Sequence, residues 1–129
     1  MSEARDTPKR PRIIVTGSRE WKDPNAARKA IADRLFDVNV ESIIVHGAAR
    51  GADRFAHQEA EKLGLLVEPH PADWSKGKSA GLQRNEEMAR LGADLCIAFW
   101  NGKSNGTKHM LEMAEKYGIE TEEVDLSDL

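Results

Sequence analysis

The sequence predicts an α/β domain in which helices cover both faces of a mostly parallel, five-stranded sheet, giving a three-layer αβα architecture. Three observations carry this. Short β-branched runs alternate with stretches of helical periodicity in the order βαβαβαβαβ. The runs are close to continuously apolar, as strands buried on both faces are. Glycines stand at the boundaries between the two kinds of segment, at positions 17, 47, 64, 92 and 118.

The elements follow in order. Ile13-Ile14-Val15-Thr16 forms the first strand and ends at Gly17. Asp23-Pro24 opens the first helix, with a side-chain acceptor at the cap and Pro in the first turn. Ala27, Ala30, Ile31, Ala32 and Leu35 then recur at helical spacing. Ser42 to His46 is the second strand, and Ala52, Phe55, Ala56, Ala60 and Leu63 mark the second helix, stopped by Gly64. Leu65 to Glu68 is the third strand. Leu82, Met88, Ala89 and Leu91 lie on the third helix, stopped by Gly92. Asp94 to Trp100 is the fourth strand. Thr107, Met110, Leu111, Ala114 and Tyr117 mark the fourth helix, stopped by Gly118, and Ile119 to Val124 is the fifth strand. Right-handed crossovers leave few topologies for this order. A Rossmann-like strand order, 3-2-1-4-5, is expected. It puts a topological switch point between strands one and four, where open α/β sheets bind ligands outside the strands' carboxyl ends.

The chain has 129 residues, enough for one domain with its own core. Residues 1–11 read as a disordered polar tail and 12–129 as the single domain. Apolar residues make up 40% and charged residues 32%, a soluble globular balance. No apolar run approaches the roughly 18 residues of a spanning helix, so no membrane partner is expected. The net charge is −3, so no global basic field exists to collect duplex nucleic acid. One cysteine, Cys96, fits a reduced, cytoplasmic setting.

The predicted carboxyl ends of the strands concentrate the chemistry. Thr16-Gly17-Ser18-Arg19 follows the first strand, and Gly47-Ala48-Ala49-Arg50-Gly51-Ala52-Asp53 the second. The third is followed by Asp73-Trp74, Gly77-Lys78 and Arg84-Asn85, and the fourth by Trp100-Asn101-Gly102-Lys103-Ser104-Asn105-Gly106-Thr107. Small residues let backbone N–H groups approach a phosphate, and helix amino termini add free donors and partial positive charge. Arg19, Arg50, Lys78, Arg84 and Lys103 supply countercharge. Trp21, Trp74 and Trp100 are candidates to stack on a base or to cap the core where a strand meets a helix, with Trp100 favoured because it ends the fourth strand beside the switch point. Asp53 suits either a ribose hydroxyl or its own helix terminus.

Other signals carry less. Ala72 to Ser79 nearly matches a Walker A loop, but Asp73 would face the phosphate with like charge. A Gly-x-Gly-x-x-Gly fingerprint is absent after the first strand. The four histidines lack metal-ligand spacing, so no metal is expected. Cys96 lies mid-strand, where a thiol is usually inert.

Taken together, Val15-Thr16-Gly17-Ser18-Arg19, His46-Gly47-Ala48-Ala49-Arg50-Gly51-Ala52-Asp53, Pro71-Ala72-Asp73-Trp74, Arg84-Asn85-Glu86-Glu87-Met88 and Ser104-Asn105-Gly106-Thr107-Lys108-His109-Met110 resemble the YspA-like branch of the SLOG superfamily. The resemblance runs from about Arg12 to Val124. It implies a Rossmann-like fold and a site for nucleotides or nucleotide-derived ligands, in a protein of bacterial or phage type. The superfamily's members include phosphoribohydrolases (the LOG enzymes), a DNA-processing protein and sensors of nucleotide signals. The LOG phosphate loop reads Gly-Gly-x-Gly-Thr-x-x-Glu, with a catalytic Glu. Gly106 and Thr107 match its phosphate-binding half, whereas the Glu position falls on Met110. Phosphate binding therefore carries over better than hydrolysis.

The leading expectation is a domain that binds or senses a nucleotide-derived small ligand, with no further cofactor. Its expected contacts are Gly17, Ser18, Arg19, Gly47, Ala48, Arg50, Gly51, Asp53, Trp74, Lys78, Arg84, Asn85, Trp100, Ser104, Gly106 and Thr107. The alternative is a nucleotide N-glycoside hydrolase, with Asp53, Asp73, Glu86 or His109 as acid or base. A second alternative is a single-stranded nucleic-acid or protein-binding module. A homodimer is expected from the resemblance.

Overall fold

The structure is a computed structural model that describes residues 10–127. Its elements are β1 (Arg12–Gly17), α1 (Pro24–Phe36), β2 (Ile43–His46), α2 (Ala52–Lys62), β3 (Leu66–Pro69), α3 (Ala80–Leu91), β4 (Leu95–Trp100), α4 (Asn105–Lys116) and β5 (Thr121–Asp125). One 3-10 turn, Trp74–Lys76, interrupts the β3–α3 connection. The sheet is parallel throughout, in the order β3-β2-β1-β4-β5. This is the predicted Rossmann-like arrangement. Residues 1–9, where most of the expected polar tail falls, lie outside the described residues; Pro11 already pairs, its carbonyl accepting from Ile43 N–H at 2.8 Å.

Alternation along β1 divides the core. Ile13 and Val15 join Ile31 and Leu35 of α1 and Ala52, Ala56 and Ala60 of α2. Ile14 points the other way, to Met88 and Ala89 of α3 and Met110 and Ala114 of α4. Small residues on α2 let that helix lie close to the sheet, because a ridge of alanines fills little space between them. Cys96 of β4 belongs to the second layer; it is fully buried, and burial pushes its thiol up to about 12.

Every strand starts within two residues of its expected place, and at β3 and β5 the shift has one shared reason. Both preceding helices end in a Schellman motif, with Gly64 (φ +77°) and Gly118 (φ +74°) in the left-handed region. Leu65 N–H donates to Ala60 O at 2.9 Å, and Ile119 N–H to Ala114 O at 2.8 Å. Each apolar residue after the glycine therefore closes the helix, and the strand starts one or two residues later. The edge strand β5 also lacks the continuous apolar run seen in β1 and β4. Its half-buried Glu122 is held by a two-pronged contact from Arg34 of α1, at 2.6 and 2.8 Å. No helix among the described residues is long and apolar enough to cross a membrane.

The amino terminus of α1 forms as its sequence dictates. Asp23 Oδ1 accepts from Ala26 N–H at 3.1 Å, and Pro24 occupies the first helical position. Replacing such a cap by Ala costs about 1 kcal/mol. Asp23→Ala is therefore expected to lower the melting temperature by about 4 °C, and Asp23→Ser to restore most of it in a thermal melt.

Candidate functional site

The site is assembled where backbones meet without side chains between them. Ser18 N–H donates to Phe99 O at 3.1 Å, and Ala52 N–H donates to Ser18 O at 3.1 Å. The loop after β1 is thereby tied to the end of β4 and to the start of α2. A Cβ on Gly17 would lie 2.6 Å from Ala52 Cβ, and one on Gly51 would lie 2.5 Å from Arg19 Cα. Both glycines are needed for this packing. Gly51 is buried in it, while Gly17 also reaches the cleft.

Asp53, in the first turn of α2, is buried. Its Oδ2 accepts from Gly47 N–H at 3.0 Å and Ala49 N–H at 3.3 Å, folding loop 47–51 over the helix end. Burial pushes this carboxyl up to about 6, against the opposing pull of the two N–H groups and of Arg84. On the loop's outer side, Arg84 of α3 donates from Nη1 to Gly47 O, and from Nε to Asn85 Oδ1 at 2.9 Å. Burial lowers the pKa of this guanidinium. Asn85 is itself buried and donates to Gly106 O at 3.2 Å, with His109 Nδ1 also 3.2 Å away. One side chain thus links α3 to the first turn of α4. Ser104 caps that helix, its Oγ accepting from Thr107 N–H at 3.2 Å and Thr107 Oγ1–H at 3.0 Å.

Between these parts lies an inner cleft of about 100 Å³. Its floor is β1 at Thr16 and Gly17, and its walls include Arg19, Asp53, Arg84 and Thr107. It opens into an outer compartment of about 280 Å³ bounded by Arg19, Arg50, Trp74 and Arg84. Arg19 makes no hydrogen bond or ion pair among the described residues, whereas Arg50 is held by Glu20 at 2.8 Å. An unpaired arginine beside a capped helix amino terminus is suited to a compact anion.

Of the expected contacts, Gly17, Arg19, Asp53, Arg84, Asn85, Ser104, Gly106 and Thr107 line the inner cleft. Arg50 and Trp74 line the outer compartment, and Gly47 lies under Arg84. Others stand elsewhere. Ser18 is buried with its Oγ unpartnered. Lys78 is exposed and lines none of these spaces. Ala48 faces a separate hollow behind its loop. Trp100 turns toward β5, where its Nε1–H donates to Glu123 at 2.9 Å. Among the four acid or base candidates, Asp53 reaches the cleft. Asp73 caps the 3-10 turn at Ser75, and Glu86 holds Lys116 and Tyr117 on the outer surface. His109 is engaged with Asn85.

The sequence reading overlooked a histidine pair. His46 Nε2 lies 2.7 Å from His57 Nδ1, and His46 Nδ1 accepts from Ala48 N–H at 3.0 Å. The signal lay in position: His46 ends β2, and His57 follows Asp53 by four residues on the same face of α2. Burial, with neighbouring His57, His70 and Arg84, pushes His46 down to about 4.

Comparison with known proteins gives three findings. The model of the YspA, cpYpsA-related SLOG family matches residues 11–77. The Gene 61 protein of Mycobacterium phage D29 is 46% identical over 114 residues, covering 84% of this chain and 91% of that protein. Among solved structures, DNA processing protein A (DprA) from Streptococcus pneumoniae is similar in fold, with a TM-score of 0.71 and 20% identity over 88% of this chain. The chain spans half the length of that protein. The C-terminal domain of a hydrogenase from Pyrococcus furiosus is also similar, with a TM-score of 0.52 and 20% identity over 92% of this chain.

Two buried groups of the site titrate in opposite senses. His46, depressed from 6.5 to about 4, contributes stability above pH 6.5 that is lost as the pH falls toward 4. Asp53, raised from 3.8 to about 6, destabilises the fold above pH 6, and acidification toward 3.8 relieves that cost. Their slopes oppose, so stability measured by urea unfolding is expected to change little between pH 6.5 and 5. Asp53→Asn leaves the His46 slope exposed and should lose stability steeply over that interval. Identical slopes in both proteins would contradict the assignment.

Proposed function

Since the chain belongs to the YspA, cpYpsA-related SLOG family, we propose that it binds a nucleotide or nucleotide-derived anion at the carboxyl ends of β1 and β4. The observation that carries this reading is the unpaired Arg19, standing with Arg84 over the cleft that the amino terminus of α4 helps to wall. A phosphate entering the inner cleft meets guanidinium donors and the positive end of α4. The remainder of the ligand extends into the outer compartment, where the half-exposed face of Trp74 offers a stacking surface.

A second reading, cleavage of the ligand's N-glycosidic bond, has one observation in its favour. Asp53 lines the cleft, and its carboxyl is raised to about 6, near the range where a general acid works at neutral pH. Ligand recovered intact by chromatography after prolonged incubation with the protein would remove this reading and leave the first.

A nucleotide at 100 times its dissociation constant stabilises the fold by about 2.7 kcal/mol, a rise of roughly 10 °C in melting temperature for a domain of this size. Arg19→Ala should weaken binding at least tenfold by calorimetry. Arg90→Ala, on the exposed end of α3, should leave it unchanged. Undiminished affinity in Arg19→Ala would move the site away from this cleft.

A further inference from the structure

Loop 47–51 has a second side. Behind it, between α2 and the end of β3, lies a hollow of about 340 Å³. Small-ligand sites commonly occupy about 300–1,000 Å³; the inner cleft is well below that range and this hollow is within it. Ala49 lines both spaces, so the wall between them is one stretch of backbone thick.

The hollow's chemistry is defined. Its floor is apolar, formed by Ala48, Ala49 and Pro69, and none of its lining residues is acidic. Arg54, His57 and Gln58 line it from one face of α2, at the three- and four-residue spacings that bring helical side chains together. Arg54 is exposed and, like Arg19, has no hydrogen-bond or ion-pair partner among the described residues. The hydrogen on His57 is also fixed. Ala48 N–H donates to His46 Nδ1, so neutral His46 carries its hydrogen on Nε2 and donates it to His57 Nδ1 at 2.7 Å. Neutral His57 therefore carries its own hydrogen on Nε2, where the Glu61 carboxylate stands 3.5 Å away, so Arg54 is the lining cation left without a partner among the described residues. An unpartnered guanidinium beside an apolar floor suits a flat ring or sugar that carries an anionic group.

We infer that the hollow and the cleft are two halves of one binding site, straddling Ala48 and Ala49, for a nucleotide with two arms joined through phosphate. One arm lies by Arg19 and Trp74, the other by Arg54 and His57. This rests on the nucleotide reading of the cleft and names the ligand class within it.

The test compares one-armed and two-armed nucleotides on the full chain by calorimetry: AMP against ADP-ribose, and GMP against linear pGpG. At least one two-armed member should bind ten times more tightly than its mononucleotide. Arg54→Ala should reduce that member to the affinity of its mononucleotide and leave the mononucleotide's own affinity unchanged. Arg19→Ala should weaken both. Equal affinities within each pair, or a preference that survives Arg54→Ala, overturns the inference while leaving the cleft reading intact. Absence of binding by all four to the wild-type protein overturns both.

Discussion

The buried carboxylate of Asp53 organises the functional end of this molecule. It satisfies the N–H groups of Gly47 and Ala49, which a loop turned back over a helix terminus would otherwise leave unpaired. The same loop offers the Gly47 carbonyl to Arg84, and Arg84 is steadied by Asn85, which reaches the first turn of α4. Loop, third helix and fourth helix are therefore held by one run of polar contacts that starts at a single acid. Removing that acid would leave the buried Gly47 N–H without an acceptor, a loss of about 1–3 kcal/mol, and free the half-buried Ala49 N–H as well.

Much of this was legible in the sequence because it rests on local chemistry. The Asp23-Pro24 start and the terminating glycines are each decided within a few residues. The strand order followed from burial and handedness, which are global but general. The edges were read less well. β5 reads as a strand two residues too early, because Ile119 closes α4 instead, and its bounds are set by pairing with β4 and by the Arg34–Glu122 contact.

The site divided in the same way. Residues beside the switch point, such as Arg19 and Thr107, line one cleft because topology alone brings them together. Trp100 was read as a cleft residue because it ends a central strand. The outcome depended on which side of β4 its ring took, and Glu123 on the neighbouring strand decided that. Glu86 and Asp73 carry the right functional group, yet their contacts are with surface neighbours and a local turn. The histidine pair was invisible because it joins a strand end to a helix face, a relation that sequence spacing does not display.

The deep burial of Cys96 has a practical consequence. The chain's one thiol sits behind two helices and is held protonated at any pH the fold would ordinarily meet. Alkylating reagents attack the thiolate, so the native protein is in effect a cysteine-free background. A dye or spin label attached through a cysteine introduced in the exposed β3–α3 connection would then report from one position only. The surroundings of Trp74 could be probed directly in this way, without first replacing a residue of the core.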